Sequence, residues 1–249
     1  MKDKGVRYHL KIRDGDVGRY ILLPGDPGRC ERIAAHLDDA ELVAKNREYE
    51  TWTGTLLGER VSAVSTGIGS PSTAIAVEEL IASGADTFIR VGTSGAIQPH
   101  TRRNDLAIVT AAIRDEGTTR QYLPIEFPAV ADPTVVQALI EGAKCAGLPF
   151  HVGPTHSKDS FYAETEPERM PLRRELEDRW SAWVAGGAIC SEMEASTIFI
   201  LASIHRKRAG GVMVMGTPVT PDYSPTEEAE HFDPDRAILV AIEALKILI

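Results

Sequence analysis

The chain has 249 residues, of which 43% are hydrophobic and 25% are charged, and its formal net charge is −9. This length and apolar content allow a substantial core without disulfide or metal support. The negative charge argues against binding to nucleic acid or to anionic membranes, so any bound anion needs a local cluster of cations. No stretch reaches the roughly 18 uninterrupted apolar residues of a membrane helix, and we expect no membrane partner.

The three cysteines, Cys30, Cys145 and Cys190, show no C-x-x-C spacing. Neither a zinc site nor a disulfide framework is indicated, which is typical of a reducing compartment. The polar N-terminal segment MKDKGVRYHLKIRDGD lacks the apolar core of a signal peptide. We therefore expect a cytoplasmic protein.

Strand-like and helix-like patterns alternate along the chain. Strands are predicted for the apolar runs 20–23, 61–65, 87–91, 106–111 and 211–215. Helices are predicted to start at Ser70-Pro71, Asp132-Pro133 and Asp233-Pro234, because a capping side chain precedes a proline that suits the first helical position. A further helix over 172–184 would bury Leu172, Leu176, Trp180 and Val184. This alternation predicts an α/β fold, with one domain over residues 1–249 and a mixed or mostly parallel sheet covered by helices.

The turn PGDPGR, residues 24–29, follows the first predicted strand. We expect Asp26 to cap a helix that begins at Pro27, and Gly25 to let a ligand approach the backbone. Arg29 then reaches back with a charged fork. Free N–H groups at a helix N-terminus favour an anion. An ordinary strand-to-helix turn with a surface arginine fits this segment equally well.

A second polar segment follows another predicted strand in FIRVGTSGAI, residues 88–97. Arg90 lies inside the apolar run, where an arginine is costly unless it has an anionic partner. The small residues after it are predicted to form a loop in which Thr93 and Ser94 supply hydroxyl donors. Ligands gather at the carboxyl ends of parallel strands, so both segments indicate one site. Arg47, in KNREYETWTG, is more typical of a solvated charge cluster.

Several ordered segments together resemble the nucleoside phosphorylases, and among these the uridine phosphorylases. The matching stretches are HL (9–10), PGDPGR (24–29), REYETW (47–52), STGIGSPSTAIAVEEL (65–80), RVGTSGAIQP (90–99), PIEFPAVAD (124–132), DSFY (159–162) and SEMEAS (191–196). The resemblance implies a single α/β domain with a central, partly barrel-like sheet. It also implies dimers that share active sites, commonly assembled into hexamers.

The phosphate site implied by the resemblance comprises Gly25, Arg29, Arg90 and Thr93, with Arg47 supplied by a neighbouring subunit. Three guanidinium groups suit a dianion in charge and in geometry. Phosphate is a co-substrate here, so no cofactor is expected. Some uridine phosphorylases also hold a monovalent cation at the dimer interface, and the resemblance places a possible structural potassium at Glu48, Ile68 and Ser72.

The nucleoside-binding residues implied by the resemblance are His9, Phe161, Glu164, Arg169, Glu192, Met193 and Glu194. Among these, Glu194 accepts from the sugar hydroxyls and Phe161 stacks on the base, while His9 comes from the partner subunit and binds the 5′-hydroxyl. The implied catalytic residues are Arg90, Thr93 and Glu194. Phosphate beneath C1′ would stabilise the developing ribosyl cation and then capture it, so catalysis is expected to be orientation and electrostatics.

The base-reading segment departs from the family. Uridine phosphorylases follow Phe-Tyr with a glutamine and, two residues later, an arginine, whereas this chain reads FYAETEPER over 161–169. Glu164 or Thr165 stands near the glutamine's place, and Arg169 is the nearest arginine. An ionised glutamate accepts uracil's N3–H but repels its carbonyls, and it suits guanine. The Ser-Asp pair of hexameric purine nucleoside phosphorylases is also missing, since the chain reads GTPV over 216–219.

Three hypotheses follow from these residues. A uridine-like phosphorylase that gives free base and ribose 1-phosphate is favoured. A phosphorylase for a purine or another base is the alternative, because neither base-reading pattern is intact. A nucleoside hydrolase or a non-catalytic nucleoside-binding protein is disfavoured, because a hydrolase has no need for the three arginines of the phosphate site.

Overall fold

One mixed sheet organises the protein in this computed structural model, which describes residues 5–218 and 233–249. The segment GTPV over 216–219 lies partly outside the described residues. The strands are β1 (Tyr20–Leu23), β2 (Asp38–Asn46), β3 (Tyr49–Leu56), β4 (Glu59–Val64), β5 (Thr87–Ala96), β6 (Leu106–Asp115), β7 (Ala129–Val130), β8 (Phe150–Lys158), β9 (Cys190–Glu192) and β10 (Arg208–Pro218). The helices are α1 (Gly28–Ala34), α2 (Ser70–Ala82), α3 (Pro133–Cys145), α4 (Phe161–Thr165), α5 (Arg173–Ala185), α6 (Ala195–Ile204) and α7 (Asp235–Leu248).

Five strands close into a barrel. β10 pairs with β6 on one side and with β5 on the other, and the circuit β6–β8–β9–β5 completes the ring. From β5 the sheet continues outward through β1, β4, β3 and β2. Parallel and antiparallel pairs are mixed: β5 pairs in parallel with β1 and β10 but antiparallel with β9. The predicted α/β class with a central, partly barrel-like sheet is therefore confirmed.

The apolar core lies on both faces of this sheet. One cluster packs α2 and α6 against it through residues such as Val77, Leu80 and Phe199. The other packs α1, α3 and α7 through residues such as Ile33 and Leu139. The two helix layers hold β5 and its neighbours rigidly, which is what a site built on strands requires. None of the helices in residues 5–218 and 233–249 combines the length and apolarity needed to cross a bilayer.

Helix starts were predicted with mixed success. Asp132 caps α3 as expected, and its side chain accepts from the backbone N–H groups of Thr134 and Val135. Ser70 does not cap α2, because Gly69 is the N-cap residue. The φ angle of Gly69 is 87°, a backbone conformation that any other residue type would adopt only with strain. Asp233 does not cap α7 either, since that helix begins at Asp235 with Pro234 before it.

The largest differences concern strand length and the helix α5. All five predicted strands are present, but β5 runs on to Ala96, so the expected loop GTSGA is strand. Its residues pair with β10 on one side and with β9 on the other. The apolar stripe predicted for residues 172–184 is not a buried face. Leu172 is 60% exposed, and α5 contains no buried residue.

Candidate active site

Arg90 is a cation buried in the middle of the sheet. It lies on β5 between β1 and β10, and it is 5% exposed. Its Nη2 donates to Glu194, and its Nε lies 3.4 Å from Oε2 of Glu192. Both carboxylates are buried with it, so this arginine has the anionic partners that its burial requires.

One nitrogen of the same guanidinium has no acceptor. Nη1 of Arg90 is buried and makes no hydrogen bond within the described residues. It faces the turn at Gly25, where a Cβ built on the glycine would come within 3.6 Å of Nη1. Leaving a buried charged donor unpaired costs about 1–3 kcal/mol or more. This position therefore suits an anionic ligand.

Arg29 brings a second cation to the same turn. It lies in the first turn of α1, its side chain is 17% exposed, and its Nε is 3.9 Å from Oδ2 of Asp26. Burial lowers the pKa of Arg29, and the charge of Arg90 lowers it further. A bound dianion would relieve this repulsion, because both guanidinium groups could donate to it.

Asp26 organises the turn differently from the prediction. Its Oδ1 accepts from the N–H of Gly28 at 2.9 Å, so the carboxylate does satisfy a helix-terminal donor. However, α1 begins at Gly28, and Pro27 is its N-cap residue. The N–H of Gly28 is thus used by the protein itself, and the positive charge at the turn comes from the arginines.

Glu192 is a structural carboxylate as well as a neighbour of Arg90. Its Oε2 accepts from the backbone N–H groups of Glu194 and Ala195, at 2.8 and 2.9 Å, and so caps the start of α6. Its Oε1 accepts from the hydroxyl of Ser157. The predicted nucleoside-binding role of Glu192 stays a prediction, and its carboxylate is already occupied by protein donors.

Glu194 joins three parts of the fold. Its Oε1 accepts from the N–H of Gly69 at 2.6 Å, where α2 begins, and its Oε2 accepts from Arg90. Burial and the nearby carboxylate of Glu192 raise the pKa of Glu194, against the opposing charge of Arg90. Each carboxylate oxygen has two lone pairs, so Glu194 keeps acceptor capacity for a ligand hydroxyl.

Three further residues were predicted for this site, Thr93, Met193 and Phe161. Thr93 is half-buried on β5, three residues beyond Arg90. Met193 is half-buried between the two glutamates, and its carbonyl accepts from the hydroxyl of Ser70. Phe161 begins α4 and is 53% exposed. Nζ of Lys158 lies over its ring, 5.7 Å from the ring centre, and the ring of Tyr162 meets it edge-on at 5.4 Å.

The structure does not bring three other predicted residues to the centre. His9 is bound to Glu79 of α2 through Nδ1 at 2.8 Å, and Glu79 lies nine positions along the helix from Ser70, roughly 13 Å away. Arg47 is exposed at the β2–β3 turn. Arg169 is exposed and paired with Glu166.

Glu164 is held in a buried polar network. Its Oε2 contacts Nδ1 of His156 at 2.9 Å and accepts from Ser191 at 2.6 Å, and its Oε1 accepts from Nζ of Lys158 at 2.5 Å. Burial raises the pKa of Glu164, but these partners outweigh burial and leave it lowered. Asp115 extends the network through Nε2 of His156 at 2.9 Å. The carboxylate is therefore ionised and held in a fixed position.

Open space adjoins this network in two places. A cavity of about 660 Å³ lies between α4 and α5, and Lys158 and Glu164 are among its lining residues. In addition, a Cβ built on Gly95 would meet nothing within 4 Å, and Gly95 pairs across the sheet with Ser191. Lys158, Ser191 and His156 were missed from the sequence. No strand was predicted over 150–158, so their burial gave no local signal.

The predicted cation residues do lie together. The hydroxyl of Ser72 donates to the carbonyl of Ile68 at 3.2 Å, and a Cβ on Gly67 would come within 2.7 Å of Glu48. One carboxylate and two neutral oxygens are ligands that suit a hard cation. No group of three His, Cys, Asp or Glu side chains in the described part of the chain is arranged as a metal site.

The chemistry available at this centre is electrostatic. Burial raises the pKa of the thiols of Cys30 and Cys190 to about 12, so neither is a thiolate nucleophile at neutral pH. The centre instead offers two cations with spare donors and a carboxylate with spare acceptors. That combination can hold an anion and a hydroxyl-bearing ligand side by side.

The chain is similar to known enzymes over nearly all of its length. A family model described as the phosphorylase superfamily matches residues 19–248, which include every strand and helix described above. A uridine phosphorylase of Treponema pallidum is 47% identical over 242 residues, covering 97% of this chain and 94% of that protein. A uridine phosphorylase of Escherichia coli is 39% identical over 249 residues, covering 97% and 98%. A guanosine phosphorylase of Halorubrum lacusprofundi is 42% identical over 204 residues, covering 82% and 80%.

Gly92→Ala tests the packing around Arg90. A Cβ at Gly92 would lie 2.9 Å from Cζ and Nη2 of Arg90, which the two glutamates hold in place. We expect overpacking to lower the free energy of unfolding by about 1–3 kcal/mol in urea denaturation. Gly95→Ala adds the same methyl group into open space, so it should stay within about 0.5 kcal/mol of wild type. Equal stability of the two variants would contradict the close packing of Arg90.

His156 makes stability depend on pH. Burial lowers its pKa, but Asp115 and Glu164 outweigh burial and leave it raised above 6.5. The stabilising contribution is thus complete below the unfolded pKa and is lost as pH rises through the folded pKa. We expect wild type to lose its stability advantage over His156→Gln as the pH rises above about 6.5, the ordinary pKa of histidine. Urea denaturation at a series of pH values measures it, with the exposed His36→Gln as control. A constant advantage over His156→Gln would show that His156 is not charged in the folded protein.

Proposed function

This chain belongs to the phosphorylase superfamily, and on that premise we propose that it cleaves uridine with inorganic phosphate to give uracil and ribose 1-phosphate. The observation that carries this proposal is the unpaired Nη1 of Arg90, buried beside Arg29 and Gly25. Two cations with spare donors next to a carboxylate with free lone pairs match the needs of a phosphate co-substrate and a nucleoside. The names of the uridine phosphorylases to which the chain is similar support the same reaction.

Phosphate would lie between Arg29 and Arg90, close to the backbone of Gly25. Arg90 keeps its orientation because Glu192 and Glu194 hold the other side of its guanidinium. Thr93, farther along β5, is proposed to donate its hydroxyl to the same anion. A guanidinium that is oriented before the substrate arrives needs no rearrangement during the reaction, and preorganisation of this kind accounts for much of electrostatic catalysis.

The ribose would sit next to the phosphate, with its 2′- and 3′-hydroxyls donating to the free lone pairs of Glu194. Met193 would pack on the apolar face of the sugar, and Phe161 would stack on the base. This arrangement fixes C1′ above the phosphate, so much of the rate enhancement would come from positioning.

The reaction breaks one bond and forms one. As the C1′–N1 bond lengthens, its electron pair moves onto the uracil ring and positive charge develops on the ribose. The phosphate dianion stabilises that charge, and one of its oxygens then bonds to C1′. Uracil leaves with the electron pair and takes up a proton. No covalent enzyme intermediate is needed, and no organic cofactor takes part.

A second subunit would complete the site. His9 is bound to Glu79 of α2 and Arg47 is exposed at the β2–β3 turn, and neither makes a hydrogen bond to the residues of the centre within the described part of the chain. We therefore propose a dimer with shared active sites, assembled into a hexamer. A potassium ion held by Glu48, Ile68 and Ser72 would stabilise that interface. The single domain over residues 1–249 and the cytoplasmic location remain predictions alongside it.

A second candidate is a phosphorylase for a purine nucleoside. It is favoured by Glu164, which stands near the place of the glutamine, and by the 42% identity to a guanosine phosphorylase. Both candidates use the same phosphate and ribose sites and differ only in the base.

Release of free base from uridine, with and without phosphate, tests the reaction. Arg29→Gln should lower kcat/KM for phosphate about 10- to 100-fold, the worth of a charge-assisted hydrogen bond of about 1.5–3 kcal/mol. Arg32→Gln is the matched control, because Arg32 lies on the same helix but is exposed and paired with Asp235. Arg90→Ala is less informative, since it would leave two buried carboxylates without their cationic partner and destabilise the fold.

Three outcomes would contradict the proposal or its phosphate site. Base release that does not depend on phosphate would indicate a hydrolase. The absence of release from every nucleoside, by a folded protein that still binds them, would indicate a non-catalytic binding protein. Equal effects of Arg29→Gln and Arg32→Gln would remove Arg29 from the phosphate site.

A further inference from the structure

Lys158 is a buried cation next to the proposed nucleoside site. It is the last residue of β8 and is 6% exposed. Its Nζ donates to Oε1 of Glu164 at 2.5 Å and to the hydroxyl of Ser191 at 2.8 Å. An ammonium group carries three N–H bonds, and these are its two hydrogen-bond acceptors among the described residues. One N–H is left for a ligand.

The position of Lys158 relates it to the base. Its Nζ lies 5.7 Å from the ring centre of Phe161, the ring proposed to stack on the base. Ser191, which Lys158 contacts, precedes Glu192 on β9 and pairs with Gly95, beside which there is open space. Lys158 therefore lies between the proposed stacking ring and the strand that leads to the ribose carboxylate.

Glu164 offers an acceptor directly beside that donor. Its Oε2 is used by His156 and Ser191, which together take both of its lone pairs. Its Oε1 contacts only Nζ of Lys158 within the described network, so one lone pair of Oε1 is left. The pair thus presents one N–H donor and one oxygen acceptor side by side. The carboxamide of a glutamine presents the same two functions.

We propose that Lys158 and Glu164 together read the base, as an ionic counterpart of a carboxamide. This inference rests on the proposed function and adds the substrate class: nucleosides whose base carries a ring N–H next to a carbonyl. The carbonyl would accept from Lys158, and the ring N–H would donate to Oε1 of Glu164. Uracil and thymine meet this requirement through N3–H, and hypoxanthine and guanine meet it through N1–H.

The same pair rejects amino bases. The carbonyl read would be the one at C4 of a pyrimidine or C6 of a purine. At that position cytosine and adenine carry an amino group, and the adjacent ring nitrogen carries no hydrogen. The amino group would then face the ammonium of Lys158, and the ring lone pair would face the carboxylate of Glu164. A site that loses both hydrogen bonds discriminates strongly, because its own buried polar groups are left unpaired. The charge of Lys158 also offsets the repulsion between Glu164 and a base carbonyl.

Paired nucleosides test the inference at saturating phosphate. We expect kcat/KM to favour uridine over cytidine, and inosine over adenosine, by at least about 100-fold. Lys158→Met should reduce both preferences to less than about tenfold and leave KM for phosphate unchanged, because the arginines are untouched. Lys144→Met is the matched control, since Lys144 is an exposed lysine on α3. It should keep both preferences.

Product inhibition of the wild-type protein gives an independent readout that requires no variant. Uracil and hypoxanthine should inhibit uridine cleavage, and cytosine and adenine should not. Two results would overturn the proposal that Lys158 and Glu164 read the base. One is that folded Lys158→Met keeps the preference for uridine over cytidine, and the other is that cytosine inhibits wild type as strongly as uracil does. Phosphate-independent cleavage, or the absence of cleavage by wild type, would instead overturn the proposed function.

Discussion

The ion pairs of Arg90 with Glu192 and Glu194 are the constraint on which the rest of the centre depends. Burying a guanidinium in a sheet is costly, and two buried carboxylates offset that cost. Each carboxylate also has a second structural role, since Glu192 caps α6 and Glu194 accepts from the N-terminus of α2. The barrel strand and two core helices therefore meet at one charged cluster. The geometry of the ligand-facing groups follows from the way these elements pack.

Much of this arrangement could be predicted from local sequence. The five apolar runs gave five strands, and Arg90 stood out because it interrupts one of them. The motif resemblance to nucleoside phosphorylases predicted the barrel-like sheet, and the turn at Gly25 and Arg29 does lie beside Arg90. These predictions succeeded because a buried strand and a glycine turn are each encoded by residues that are adjacent in the sequence.

Other features depend on contacts between distant parts of the chain and could not be predicted. Ser70 resembles a helix cap, but the N–H of Gly69 is satisfied by Glu194, 125 residues away. GTSGA resembles a loop, but pairing on both sides makes it strand. Lys158 and His156 resemble surface residues until β8 pairs with β9 and buries them. The apolar residues of α5 resembled a core face, and nothing local distinguishes such a face from a half-exposed one.

The double role of Glu192 affects how such an enzyme can diverge. A substitution of Glu192 removes the cap of α6 together with a partner of Arg90. Selection for a stable fold alone would therefore preserve Glu192, even in a gene copy whose product is no longer selected for catalysis. The side chain of Phe161 is 53% exposed and caps no helix. Drift in a duplicated gene would therefore alter such an exposed position long before it dismantled the charged cluster around Arg90. Descendants of this fold are accordingly expected to differ at the rim of the site and to agree at its middle.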